Sequence, residues 1–313
     1  TLVCLLIVLT TLELCKYVSL APFSLTALDI GQGDSLLLRE KGQGIILIDS
    51  GKPGELEYIW QAYIRAERLP PKTSLILTHL DLDHHGGAPW LIEHDYVDLL
   101  ALAGTERAHY ESKPKDDPKR IEYEAYVAYY RQLCASKNIP LIWLESGTSL
   151  QLSKALSIQV LESADMPDAN NASLVAHVNY QSYKLLLTGD AEGPREEFLL
   201  DQGVLEKVHL LKLGHHGSKH ATTHNFIQRI DPDLALISVG QNNTYGHPAD
   251  EVLERLDQHN TQVVRTDLSG AVRINFTNEQ MMAEGFLDEG IAVLQSYEDI
   301  RVAGGEANGS TSR

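Results

Sequence analysis

One short stretch, residues 78–87, limits what this chain can fold into more than any other part of the sequence. It places two histidines and two aspartates within six positions: His79, Asp81, Asp83 and His84. The apolar run before it, residues 74–77, predicts a buried strand. Imidazole and carboxylate groups are the usual ligands of zinc- and manganese-like ions, and α/β folds place their chemistry at the carboxyl ends of strands. The pattern therefore predicts a metal site, and the alternative is a polar turn with incidental charge.

The chain has 313 residues, of which 43% are hydrophobic, so it can bury one large core or two small ones. Its net charge of −17 argues against a broad nucleic-acid-binding surface, which would be basic. A site holding two divalent cations would still be locally positive. The three cysteines form neither a metal-binding pair nor a disulfide framework.

The two ends of the chain are predicted to differ from its centre. Residues 1–18 begin with an apolar run that is too short to span a bilayer and lacks the features of a signal peptide. We predict that they are the end of a transmembrane segment, with a first core element as the alternative. Residues 19–279 are predicted to form the domain that carries the metal site, and residues 280–313 a helix over 279–297 followed by a disordered tail.

The order of predicted elements indicates the architecture. Strands come first, then strands alternate with helices, and this arrangement occurs twice. It predicts an α/β (α+β) fold of two sheets packed face to face with helices outside. Residues 104–118 are predicted to be a polar insertion before a long helix over 119–136. The tyrosines of that helix are suited to packing or, alternatively, to stacking on bases.

Two further motifs follow apolar runs in the second half of the chain. The first is Thr-Gly-Asp at residues 188–190, where the carboxylate of Asp190 can bridge two cations or cap the next helix. The second is Gly-His-His-Gly-Ser at residues 214–218, which places His215 and His216 at a predicted strand end. Three apolar strands that each end in ligand-type side chains favour one shared site.

Polar residues in three other places are candidates for substrate contact. Asn171 and Ser173 precede a predicted strand and are suited to ligand contact or to turns. Ser218 can donate to a phosphate or cap the following helix. His247, just before a proline, is a candidate ligand, proton donor or cap.

Taken together, these motifs resemble the metallo-β-lactamase superfamily, and within it the hydrolase domain of ComEC, the DNA-uptake channel of competent bacteria. The resemblance covers about residues 23–276. It rests on seven segments: Asp29 to Asp34, Ile48 to Gly51, His79 to Gly87, Asn171 to Leu174, Leu187 to Asp190, Lys212 to Lys219 and Asn243 to Pro248. Asp81 stands where most of the superfamily has histidine, and aspartate there is common in the ComEC branch. The resemblance implies an αββα sandwich with its metal site at the joint of the sheets.

The resemblance also implies a set of ligands for two divalent ions. Asp83, His84, Asp190 and one of the two adjacent histidines, assigned as His215, would hold one ion. His79, Asp81 and the bridging Asp190 would hold the other. Since this second set is rich in oxygen, it favours manganese over zinc. Asp83, His216 and His247 are the predicted catalytic residues, and Asn171, Ser173 and Ser218 are predicted to contact substrate.

The resemblance implies a metal-dependent phosphodiesterase that degrades the DNA strand that is not imported. Its expected partners are DNA, the transmembrane channel part of the same protein and other competence proteins. The expected location is the cell membrane, with this domain extracytoplasmic. One alternative is a phosphorylcholine esterase or another small-ester hydrolase. The other is a silent domain that only binds DNA or assembles the channel.

Overall fold

A computed structural model describes residues 21–163, 166–287 and 291–294. Within these residues the fold consists of two β-sheets that pack face to face, with helices against their outer surfaces. The predicted αββα sandwich is therefore confirmed. Residues 1–18 and the predicted disordered tail lie outside the described residues, and no helix among those described is long and apolar enough to span a membrane.

The first sheet has the strand order β16-β15-β14-β1-β2-β3-β4-β5-β6. Its strands are β1 (Phe23–Ala27), β2 (Leu36–Glu40), β3 (Ile45–Ile48), β4 (Thr73–Leu77), β5 (Val97–Ala103), β6 (Leu141–Leu144), β14 (Val272–Phe276), β15 (Met281–Gly285) and β16 (Ile291–Leu294). Strands β3 to β6 are parallel and the others are antiparallel.

The second sheet has the order β13-β12-β11-β10-β9-β8-β7. Its strands are β7 (Ser149–Gln151), β8 (Leu156–Val160), β9 (Ala176–Tyr180), β10 (Tyr183–Leu187), β11 (Leu210–Lys212), β12 (Leu234–Ile237) and β13 (Gln262–Arg265). Strands β10 to β13 are parallel, so their carboxyl ends share one edge of the sheet.

The described helices are α1 (Leu56–Glu67), α2 (Leu82–His85), α3 (Ala88–Glu93), α4 (Gly104–Ser112), α5 (Pro118–Lys137), α6 (Ala169–Ala172), α7 (Gly193–Asp201), α8 (His224–Ile230), α9 (Asp250–Gln258) and α10 (Thr266–Ser269). A single 3₁₀ turn covers Gly214–Gly217. Helices α1, α3 and α5 cover the first sheet, whereas α7, α8 and α9 cover the second.

The apolar strands are buried on both faces. In β2, Leu36 and Leu38 point into the core between the two sheets, while Leu37 points into the core beneath α1 and α5. A strand covered on both faces requires a continuous apolar run, because alternate side chains enter different cores.

Two predictions about secondary structure are wrong. The segment predicted as a polar insertion contains α4, which buries Glu106, His109 and Tyr110 on one face. The helix predicted over 279–297 is not formed in its described part, where β15 and β16 extend the first sheet. Because β15 pairs with β14, alternate side chains Met281 and Ala283 enter the core between the sheets. Every second side chain of this segment is therefore buried, which is the pattern of a strand and not of a helix.

Candidate metal centre

The carboxyl ends of parallel strands from both sheets bring the predicted ligands together. His79 follows β4, Asp190 follows β10, and His215 and His216 follow β11. The one-turn helix α2 then turns Asp83 and His84 toward the same point. Backbone hydrogen bonds join the loops of the two sheets, since the Leu174 N–H donates to the Thr78 carbonyl over 2.9 Å.

Asp190 is the centre of this cluster, and each of its carboxylate oxygens faces two imidazoles. Asp190 Oδ1 lies 3.1 Å from His84 Nε2 and 3.7 Å from His216 Nε2. Asp190 Oδ2 lies 3.8 Å from His79 Nε2 and 3.9 Å from His215 Nε2. A carboxylate in this position can bind a cation through either of its oxygens.

Two more aspartates complete the cluster from its solvent side. Asp81 Oδ2 lies 3.8 Å from His79 Nε2, and Asp83 Oδ2 lies 3.6 Å from His216 Nε2. Both carboxylates are partly exposed, whereas His79 and His216 are buried. The arrangement leaves one open side, from which a substrate can approach.

The buried atoms of the cluster fit a divalent cation. Among the described residues, Nε2 of His79 and of His216 are buried without a hydrogen-bond partner, and the 3.1 Å contact between His84 Nε2 and Asp190 Oδ1 lacks hydrogen-bond geometry. Buried polar atoms without a partner cost free energy, so a convergent set of them needs an explanation. His79, His84 and Asp190 have ligand atoms within 4.8 Å of one another, as do Asp83, His84 and His216. This nitrogen and oxygen donor set suits zinc or manganese.

The Nδ1 atoms of His84 and His216 contact a carboxylate and a carbonyl, on the side of each ring that faces away from the cluster. His84 Nδ1 lies 2.8 Å from Asp49 Oδ2, and the Thr78 N–H and hydroxyl donate to the same carboxylate over 2.8 and 2.7 Å. His216 Nδ1 donates to the Ser238 carbonyl over 2.9 Å. A partner at Nδ1 fixes the ring and directs Nε2 toward a metal.

A buried ion pair lies directly below the cluster. Lys212 and Asp34 are both fully buried and in direct contact, and Asp34 Oδ1 lies 3.4 Å from His216 Nδ1. Lys212 Nζ also donates to the Gly189 carbonyl over 3.1 Å, which links the pair to the loop of Asp190. The pair therefore positions residues from two separate ligand loops.

The electrostatic field differs between the histidines. Burial lowers the pKa of His79 to about 4, so this ring is neutral and can bind a cation directly. Burial also disfavours the charged form of His216, but Asp190 and Asp34 outweigh it and raise its pKa to about 9. The same balance holds at His84, where burial is outweighed by Asp190 and Asp49, which raise its pKa well above its usual value.

The two adjacent histidines have different surroundings. His216 is buried and faces Asp83 and Asp190, as a ligand would. His215 is about 29% exposed, and its Nδ1 lies 2.8 Å from Glu192 Oε1. Sequence patterns could not separate these neighbours, whereas the geometry favours His216 as the ligand.

Gly33 explains the Gly-x-Gly turn that precedes β2. Its φ of 141° lies outside the range of L side chains, and a Cβ there would lie 2.3 Å from the Asp83 carbonyl oxygen. Only glycine allows this approach, which brings the Asp34 loop against α2.

His247 lies at the open rim of the cluster. Its ring centre is 5.6 Å from that of His215, and the exposed Tyr245 stacks against it with ring centres 5.9 Å apart. Asn243 holds this loop, because its side chain donates to the His247 carbonyl and accepts the His247 N–H. The position suits the predicted contact with a phosphate or a leaving group.

The three residues predicted to bind substrate are buried and make hydrogen bonds within the protein. Asn171 Oδ1 accepts the N–H groups of Glu192 and Arg195 at the start of α7, and Ser173 Oγ accepts the Asp190 N–H. Ser218 Oγ donates to Glu192 Oε1 over 3.2 Å. These bonds shape the ligand loops, and direct contact of the three residues with substrate stays a prediction.

Asn171→Ala is expected to lower the free energy of unfolding by about 1–3 kcal/mol, because two N–H groups lose their acceptor. Urea denaturation measures this change, with the exposed Asn225→Ala on α8 as control. Unchanged stability in Asn171→Ala would contradict this structural role.

Sequence patterns missed the residues that support the ligands: Asp34, Asp49, Glu192 and Lys212. Asp34 and Asp49 lie in recognisable motifs, but a short turn between strands is weak evidence for a function. His177 points from β9 away from the core between the sheets, which its neighbours Ala176 and Val178 enter.

Residues 28–241 match the family model of the metallo-β-lactamase superfamily. ComE operon protein 3 of Bacillus subtilis is 33% identical over 271 residues, which cover 80% of this chain and 33% of that protein. Recombination protein 2 of Haemophilus influenzae is 31% identical over 278 residues, which cover 87% of this chain and 31% of that protein. Both are ComEC-family competence proteins, so the predicted resemblance is confirmed. The chain spans about a third of the length of these relatives.

A solved structure supports the fold. Igni18, a metallo hydrolase of Ignicoccus hospitalis, is similar with a TM-score of 0.50 and 14% identity. The matched region covers 81% of this chain and the whole of Igni18. The region that matches the family model includes the loops of His79, Asp83, His84, Asp190 and His216. The chain therefore belongs to the metallo-β-lactamase superfamily, whose fold implies binding of divalent metal ions.

Proposed function

We propose that this chain is a metal-dependent phosphodiesterase that degrades the non-imported DNA strand during natural competence. The observation that carries the proposal is the position of Asp190 among four imidazoles, two of which have buried Nε2 atoms without hydrogen-bond partners. The similarity to ComEC-family competence proteins supports DNA as the substrate. The proposal also places the domain on the extracytoplasmic side of the membrane, beside the channel part of the same protein and other competence proteins.

Two sets of residues would hold divalent ions. His79, Asp81 and Asp190 would form one set, and Asp83, His84, His216 and Asp190 the other. The ions would activate water and neutralise charge on the phosphodiester. The oxygen-rich first set favours manganese, whereas zinc is common in this fold. In this scheme His216 takes the ligand role that the sequence assigned to His215.

Residues at the rim would handle the substrate and its protons. Burial alone would lower the pKa of His215, but Glu192 and Asp190 outweigh it and raise that pKa. This ring can therefore hold a proton for a phosphate oxygen or a leaving group. Burial and the neighbouring histidines lower the pKa of His247 to about 4, which leaves it a neutral partner. Burial opposes ionisation of Asp83, but His216 and His84 lower its pKa to about 2. Asp83 is therefore ionised at neutral pH, as binding of a cation requires.

The proposal is tested by incubating the chain with single-stranded DNA in manganese, in zinc and in chelator. We expect cleavage that requires metal and is lost in Asp83→Ala, with the exposed Asp201→Ala as control. Metal binding without hydrolysis of DNA or of any small phosphodiester would contradict the proposal.

Metal affinity is expected to rise with pH up to about pH 9. The pKa of His216 is raised to about 9 and that of His84 is also raised, so both rings carry protons at neutral pH and a cation must displace them. For each ring that must lose a proton, the metal affinity falls about tenfold for every pH unit below the pKa of that ring. Calorimetry in buffers with different ionisation enthalpies measures the protons released, and equal heats in all buffers would contradict the expectation.

A second candidate, a phosphorylcholine-type esterase, is favoured by one observation. A cavity of about 300 Å³ beside Asp81 and Asp83 is lined by three tyrosines, two glutamates and Lys119. Aromatic and acidic groups together recognise quaternary ammonium ions. Hydrolysis of p-nitrophenyl phosphorylcholine without cleavage of DNA would favour this candidate.

A further inference from the structure

A second, larger cavity lies on the outer side of the first sheet. It has a volume of about 500 Å³ and is formed by α4, α5 and β6. Its walls include three arginines, two glutamates and three aromatic residues: Arg107, Arg120, Arg131, Glu111, Glu124, Tyr110, Tyr123 and Trp143. This volume is in the range of sites for small ligands such as a nucleotide.

The side chains of this cavity match the two parts of a nucleotide. The guanidinium carbon of Arg107 lies 4.6 Å from the ring centre of the half-buried Trp143. An aromatic ring next to a guanidinium group offers a stacking surface for a base and charge for its phosphate. Arg131 is exposed at the cavity and adds a second positive charge.

The local charge differs from that of the whole chain. Residues 104–137 contain seven lysines and arginines against six acidic residues, whereas the chain contains 26 against 43. Arg107 and Arg120 do have acidic partners, Glu145 at 2.6 Å and Glu124 at 2.8 Å. Arg120 is mostly buried and also donates to the Glu111 and Lys113 carbonyls, so it is held in place. Glu145 is about half exposed, and exposed ion pairs contribute little free energy, so a phosphate can replace Glu145 at Arg107.

The cavity adjoins the metal centre. The rings of Tyr110 and Tyr123 stack with centres 4.5 Å apart, and both residues line this cavity as well as the smaller one. The smaller cavity also contains Asp81 and Asp83. The two cavities are therefore neighbours, and the tyrosine pair forms the wall that they share.

We propose that the cavity between α4, α5 and β6 binds a nucleotide of single-stranded DNA at a distance from the phosphodiester that is cut. The inference rests on the proposed nuclease function and extends it, because it assigns part of the substrate path. It also explains how a strongly acidic chain can hold DNA through one arginine- and aromatic-lined cavity rather than through its general surface.

Binding can be measured separately from cleavage. A fluorescein-labelled single-stranded oligonucleotide is titrated into the full chain in chelator, and anisotropy gives the dissociation constant. We expect Arg107→Ala with Arg131→Ala to weaken binding about tenfold or more. The slope of log affinity against log salt concentration should fall by about 0.7 for each phosphate that the double variant no longer neutralises. Arg229→Ala, an exposed arginine on the opposite helical layer, is the matched control.

A second readout does not depend on the arginine variants. The chain has three tryptophans, and Trp143 is the one in the cavity. Oligonucleotide binding is expected to quench tryptophan fluorescence in the wild type, and Trp143→Phe should remove that quenching. Circular dichroism checks that each variant is folded.

The outcomes separate this inference from the proposed function. Binding that depends on Arg107, Arg131 and Trp143 supports the cavity as a nucleotide site, even if the wild type cuts no DNA. In that case only the nuclease function fails. Equal binding by wild type and the double variant, or equal loss in Arg229→Ala, overturns the inference even where metal-dependent cleavage is observed.

Discussion

Asp190→Asn is expected to reduce metal-dependent hydrolysis by about 10³-fold or more and to remove most of the bound metal. The substitution preserves the shape of the side chain but removes the charge that faces His79, His84, His215 and His216. Stabilisation of charge by bound cations contributes several kcal/mol to such reactions, and each 1.36 kcal/mol corresponds to a factor of about ten in rate.

The measurements are metal content after dialysis and the rate of phosphodiester hydrolysis at saturating metal. Asp201→Asn, an exposed aspartate on α7, is the matched control and should behave like the wild type. Full metal content and normal rates in Asp190→Asn would exclude the bridging role. A normal circular dichroism spectrum is required, because Asp190 is also buried.

Lys212→Met is expected to lower the free energy of unfolding by about 3–5 kcal/mol, since it leaves the Asp34 carboxylate buried without its cation. Both residues are fully buried and in contact. Although burial opposes ionisation, Lys212 and His216 hold the pKa of Asp34 well below its usual value, so this group is charged in the folded protein. Urea denaturation at neutral pH measures the loss.

The double variant Lys212→Met with Asp34→Leu separates stability from function. Replacing both charges with apolar groups should recover much of the lost stability. Metal affinity should stay about 10–100-fold lower, because His216 loses the carboxylate behind its ring. Lys207→Met, which breaks an exposed pair with Asp231, is the control and should cost less than about 1 kcal/mol. A double variant with wild-type metal affinity would show that Asp34 does not position His216.

The position of the candidate metal centre was predictable because its ligand-type residues follow apolar strands. A buried strand has a strong local signal, and the polar residues at its end stand out against it, as at His79, Asp190 and His216. Asp34 and Lys212 lie in two of the matched motifs, but nothing in either motif indicates that the two residues form a pair. Its members are distant in the sequence and meet only because the loops of the two sheets join, as in the hydrogen bond from Ser238 Oγ to the Gly33 carbonyl.

The assignment of neighbouring residues also depended on tertiary contacts. His215 and His216 both adopt left-handed backbone conformations, with φ of 46° and 55°. Their side chains then diverge, one toward Glu192 and the other toward Asp83. At the end of the sequence, helical spacing over 279–297 competed with pairing to β14, and the sheet provided the burial that decided it.

The position of β1 has a consequence for synthesis of the protein. β1 lies inside the first sheet, between β2 and β14, and Phe23 pairs with Phe276. During translation, one edge of β1 therefore stays without its partner until nearly the whole domain has left the ribosome. Such an open edge favours pairing with other chains, and pairing between distant segments is slow. A truncation before Val272 should therefore produce aggregates rather than a smaller folded domain.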